Sequence, residues 1–89
     1  MSEKQQQKWI IKAKETYKFH RSKLLSTDDW TLNMTSKILK RSLGSISEDL
    51  LIAKWLKTHE KQLEKFEYMY EALEFIREKQ KEQSLIEID

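Results

Sequence analysis

Trp30-Thr31-Leu32-Asn33-Met34-Thr35-Ser36-Lys37-Ile38-Leu39-Lys40-Arg41-Ser42-Leu43-Gly44-Ser45-Ile46-Ser47-Glu48-Asp49-Leu50 is the stretch on which the reading of this chain turns. Leu32 to Lys40 reads as a short helix with Thr31 as its N-cap, because a threonine oxygen can accept a backbone N–H that the first helical turn leaves free. Lys40-Arg41-Ser42-Leu43-Gly44 holds the only glycine of the chain and predicts a turn. A further helix then runs to about Leu56, and the residues allow two starts. Ser45 with Glu48 has capping-box spacing, whereas Ser42 as the cap would put Gly44 inside the first turn. Two short helices crossing at a steep angle need a small residue where they meet and apolar residues facing inward. Ser36 supplies the first, and Leu39, Ile46 and Leu50 supply the second. Gly44, Ser47, Glu48 and Leu51 are left on the outward face of the later helix. This is the spacing of a helix-turn-helix, whose second helix lies in the major groove with its N-terminal residues toward base edges.

Trp30-Thr31 with Thr35-Ser36 and Leu39, followed by Ser42, Gly44, Ile46-Ser47 and Asp49-Leu50, resembles the helix-turn-helix of ParB-type partition proteins and of small phage and plasmid DNA-binding proteins. The similarity covers about 25 residues around 30–50 and does not reach the nucleotide-binding motifs of full partition proteins. It departs from the pattern at Lys40, where the family prefers glycine, at Arg41, where an apolar turn residue is common, and at Glu48 and Asp49, whose charges would repel phosphate. The resemblance implies double-stranded DNA as partner and a phage- or plasmid-type transcriptional regulator as function. Thr31, Asn33 and Lys37 would then meet the phosphate backbone, and Lys40 and Arg41 would hold phosphates from the turn. Ser42, Gly44, Ser45, Ser47 and Glu48 would approach the bases. Phosphate contacts set register and affinity, and base contacts set sequence choice. Helix capping is the competing role for Ser42 and Ser45.

Outward from this stretch, residues 3–24 carry Trp9, Ile10, Ala13, Tyr17 and Leu24 at helical steps. Lys8, Lys12, Lys14, Lys18, Arg21 and Lys23 crowd the remaining face, which either tracks nucleic-acid backbone or is simply solvated. Trp9 and Tyr17 read as core. Ser26-Thr27-Asp28-Asp29 reads as a break, since short polar side chains compete for backbone hydrogen bonds. Residues 58–83 read as one long helix. Leu56, His59, Leu63, Phe66, Tyr70 and Leu73 alternate steps of three and four, a coiled-coil-like seam. That seam either folds back against Ile10, Ala13 and Tyr17 or pairs two copies into a homodimer. Residues 84–89 read as a flexible acidic, apolar tail. The acidic C-terminal helix or this tail offers a second kind of partner, a host or virion protein.

The expected architecture is therefore all-α, with four helices in a single domain over residues 1–83 and the helix-turn-helix at about 31–56. With 89 residues there is room for one core, and typical per-residue values put net stability on the order of 4–13 kcal/mol. The charge is +2 overall but divides unevenly. Residues 1–45 hold ten Lys/Arg and four Asp/Glu, and residues 46–89 hold seven and eleven. A basic half can approach a polyanion that an acidic half resists. No cysteine is present, which excludes disulfides and Cys-based zinc sites, and no proline interrupts the helices. A single glycine cannot build a Gly-rich phosphate loop. His20 and His59 are the only histidines and lack metal-ligand or general-base spacing, so neither catalysis nor a cofactor or metal is expected. No apolar stretch nears the about 20 residues a transmembrane helix needs, and the polar start lacks a signal-peptide h-region, which predicts a cytoplasmic protein.

Overall fold

A computed structural model describes residues 7–88, with side chains described for residues 7–83. The chain is all-α and consists of four helices: α1 (Lys8–Ser26), α2 (Leu32–Leu39), α3 (Leu43–Glu64) and α4 (Met69–Ile88). Residues 3–6, where the predicted first helix begins, and the side chains of the predicted tail at 84–89 lie outside the described set.

Local signals decide most of the boundaries. Thr31 caps α2, its side-chain oxygen accepting from the Met34 N–H at 3.3 Å. Ser42 caps α3 in the same way, accepting from the Ser45 N–H at 3.1 Å. Of the two starts the residues allowed, the earlier one is used, and Gly44 sits within the first helical turn. A Cβ there would meet nothing within 4 Å, so the glycine is not what bends the chain. The bend falls at Lys40, which takes the left-handed conformation with φ 58° and ψ 46°. Its own N–H and that of Arg41 both return to the Ser36 carbonyl, and the Ser36 hydroxyl donates to the Arg41 carbonyl. These bonds close the C-terminus of α2 as a glycine would, with lysine in the glycine's place.

The single long helix expected over 58–83 is instead two elements. Helix α3 continues to Glu64, with a non-helical His59 (φ −128°, ψ 32°), and the chain reverses before α4 starts at Met69. The seam residues keep coiled-coil steps whether the helix runs straight or doubles back, so their spacing did not reveal the reversal. Local bonds brace it: the Phe66 N–H donates to the Leu63 carbonyl at 3.2 Å, and the Tyr68 N–H to Glu71 Oε1 at 3.2 Å. Trp9 Nε1 donates to the Glu67 carbonyl at 3.1 Å, fastening the start of α1 to the same turn.

Helix α1 lies antiparallel on α3. Tyr17 meets Lys57 and Lys14 meets Glu60, with falling numbers on one helix matching rising numbers on the other, and Trp9 continues the series to Glu67 in the turn just beyond α3. The main core forms where α1, α3 and α4 converge: Ile10, Ala13, Ile52, Leu56, Leu63, Ala72, Leu73 and Ile76 are buried. Fully burying each of the larger side chains stabilises by roughly 1.5–3 kcal/mol before entropy is counted. Three of the seam residues, Leu56, Leu63 and Leu73, are thus consumed inside one chain. Phe66 is half-buried against the core, while Tyr70 leaves the seam and stacks on Tyr68 at the surface. The buried seam residues pack within one chain against Ile10 and Ala13, the fold-back alternative, because the reversal at 65–68 brings the two halves of the seam face to face.

Candidate nucleic-acid interface

The short α2 and the first half of α3 are set against α1 by buried polar groups. Asp49 is 1% exposed. Its Oδ2 accepts from the Thr16 hydroxyl at 2.9 Å and from Arg41 Nη1 at 2.7 Å. Arg41 Nη1 also donates to Thr16 Oγ1 at 3.0 Å, and Nη2 donates to Ser45 Oγ at 2.6 Å. Oδ1 of Asp49 is buried without a hydrogen-bond partner among the described residues. A second cluster centres on Thr35, which is fully buried. Trp30 Nε1 donates to the Thr35 hydroxyl at 2.8 Å, and that hydroxyl lies 2.6 Å from His20 Nδ1. Since the indole already donates to the oxygen, the hydroxyl proton is free for Nδ1, which suits the tautomer protonated at Nε2.

These clusters place the residues singled out in the sequence. Arg41 does not reach out from the turn: its guanidinium points inward and is spent on Asp49, Thr16 and Ser45. A buried carboxylate demands a paired cation, and Arg41 is the one within reach, so the expectation that it holds phosphate is corrected. The same pairing removes the objection raised by Asp49, whose charge is neutralised in the interior. Ser42 is a cap and Ser45 an acceptor for Arg41, so both are structural. Glu48 is half-buried and, with Met69, Tyr70, Leu73, Glu74 and Arg77, lines a groove on the α4 side of α3. Thr31, Asn33, Lys37, Lys40, Gly44 and Ser47 are exposed. Leu43 is 42% exposed at the start of α3. The outward face of the α3 N-terminus is therefore Leu43, Gly44 and Ser47, with Lys40 beside it in the turn.

A set of cations borders it: Arg21, whose face was already open to a nucleic-acid backbone, and Lys54 and Lys57, which no sequence pattern had singled out. Tyr17, His20, Arg21 and Leu24 on α1, with Leu50, Lys54 and Lys57 on α3, line a groove of about 430 Å³. Lys57 Nζ donates to Tyr17 Oη at 2.7 Å and lies 4.6 Å from the centre of its ring. That bond, reinforced by the charges of Lys57 and Arg21, holds the Tyr17 phenol below its ordinary pKa. Tyr17, Arg21 and Leu24 are spaced i, i+4, i+7 on α1, and Leu50, Lys54 and Lys57 are spaced likewise on α3. That periodicity is visible in the sequence; the antiparallel pairing that joins the two rows is not.

Among the described residues no three His, Cys, Asp or Glu side chains gather as a metal site would require, and no helix is long and apolar enough to cross a membrane. Comparison with protein-family models, with curated proteins and with solved structures found no match to this chain.

Proposed function

We propose that this chain is a small helix-turn-helix protein that binds double-stranded DNA, acting as a phage- or plasmid-type transcriptional regulator in the cytoplasm. The observation that carries the reading is the unit formed by α2, the turn at 40–42 and the start of α3. A capped eight-residue helix ends in a left-handed Lys40, and a second capped helix follows at once with Leu43, Gly44 and Ser47 facing solvent. In this reading the first turns of α3 enter the major groove. Ser47 hydrogen-bonds a base edge, Leu43 offers apolar contact to a thymine methyl, and Gly44 allows close approach. Asn33, Lys37 and Lys40 contact phosphates from α2 and the turn. The likeness of residues 30–50 to partition-protein helix-turn-helix segments belongs to the same proposal, as does a homodimer matched to a palindromic site.

Selection of bound duplexes from a randomised library, at low and near-physiological salt, tests it. The expected outcome is an enriched site, with half-sites about one helical turn apart if the protein binds as a dimer. Ser47→Ala is expected to change the preferred sequence. Failure to retain any duplex at low salt would falsify the reading. A second reading, an adaptor that binds a protein through its acidic C-terminal half, is favoured by one feature. Tyr68 in the 65–68 turn and Tyr70 at the start of α4 stack with ring centres 5.7 Å apart, 52% and 62% exposed, beside Glu67 and Glu71.

A further inference from the structure

The seam between α1 and α3 changes character along its length. Toward the middle of α1 it is neutralised, with Lys14 paired to Glu60 at 3.3 Å. One to two turns further along α1, the groove sets Arg21, Lys54 and Lys57 around a common space, and no carboxylate lines it. Among the described residues none of these three cations takes part in an ion pair. Like charges gathered in this way destabilise the free protein, and a single glutamate at 21 or 54 would relieve them as Glu60 relieves Lys14. Leu24 and Leu50 give the groove an apolar wall, beside which a charge contact is less screened than in open water. Lys57 is already held by Tyr17 and loses little freedom if an anion arrives.

We infer that this groove seats the phosphodiester backbone of one DNA strand, with Arg21 and Lys54 as the direct phosphate contacts and Lys57 as a pre-positioned third cation. The inference rests on the DNA-binding reading and extends it by assigning the strand that flanks α3. Ser47 and Lys54 are seven residues apart on α3, so they lie close to one face and about 10 Å apart along its axis. The major groove is about 12 Å wide, so a helix with Ser47 at base edges brings Lys54 toward the groove wall, where the phosphates lie. The charge sign and the spacing both match a phosphodiester strand.

The experiment is fluorescence anisotropy with a labelled duplex of about 20 base pairs, titrated across a salt series. It compares the wild-type chain with Arg21→Gln/Lys54→Gln, Arg21→Glu and Ser47→Ala, and follows thermal unfolding of each. Loss of two phosphate contacts is expected to flatten the salt slope by about 1.8 and weaken binding about 60-fold at 0.1 M salt. The unfolding midpoint of both charge variants should stay level or rise, because they remove like-charge repulsion; a merely structural role would lower it. A folded double variant with unchanged slope and affinity overturns the groove assignment. If Ser47→Ala still alters sequence preference in that case, the DNA-binding reading stands without it. A flattened slope with no effect of Ser47→Ala supports the groove and removes base reading from α3 instead. Absence of duplex binding by the wild-type chain overturns both, as does tighter binding of a polyglutamate peptide than of the duplex.

Discussion

The turns at 40–42 and at 65–68 bracket the same helix, yet they are held by different forces. The first is bound by directional bonds: Lys40 and Arg41 N–H groups to Ser36, Arg41 to Asp49, Thr16 and Ser45, and Ser42 to Ser45. The second rests mainly on apolar packing, with Leu63, Leu73 and Ile76 buried and Phe66, Met69 and Phe75 packed against them. Apolar contacts supply free energy but tolerate rotation, whereas a fork of guanidinium bonds fixes an angle. The stricter geometry sits where α2 and α3 are to be presented as one rigid unit. The tolerant one sits where two helices need only bury their seam.

Removing one partner from the polar turn should break this contrast most sharply. Arg41→Ala leaves Asp49 buried and uncompensated, and a loss of about 3–5 kcal/mol in urea denaturation is expected. Replacing both partners, as Arg41→Met with Asp49→Leu, should recover most of it, since an apolar pair leaves no charge stranded. A small loss from Arg41→Ala alone would mean the cluster constrains nothing.

The apolar turn should respond differently. Ile76→Ala is expected to cost about 2–5 kcal/mol through lost burial and a residual cavity. Duplex affinity, corrected for the folded fraction, should stay within about twofold, because no directional bond to the helix-turn-helix is lost. A specific loss of affinity in the folded protein would show that α4 sets the presentation of α3.

The smallest effect separates backbone strain from charge at position 40. Left-handed lysine costs on the order of 1 kcal/mol relative to glycine, so Lys40→Gly should stabilise the chain by up to about that amount. Its affinity for duplex should fall if the ammonium meets a phosphate. Unchanged affinity would place position 40 off the DNA.

Part of this was legible in the residues. Thr31 could be read as a cap because a cap and the N–H it accepts lie three residues apart, while the same spacing left Ser42 and Ser45 both open as the start of α3. Lys40 stood out only through the resemblance, as the position where partition-protein helix-turn-helix segments prefer glycine, and the left-handed turn falls there. The direction of Arg41 could not be read, because its partners Thr16 and Asp49 lie 25 and 8 residues away and obey no period. The reversal at 65–68 was hidden for another reason. Glu64-Lys65-Phe66-Glu67-Tyr68 contains no glycine or proline, and its apolar spacing continues unbroken through the bend. The cationic groove needed α1 and α3 to be placed antiparallel before Arg21 and Lys54 became neighbours.

By itself, then, the sequence determined the helical class and the short, capped α2, through interactions confined to a turn of helix and through hydrophobic period. Only the tertiary structure decided that Arg41 serves the interior, that the seam closes within one chain, and that Arg21, Lys54 and Lys57 share one groove. Each of those depends on residues far apart in the chain, and what joins them is the fit of one helix against another rather than any local preference.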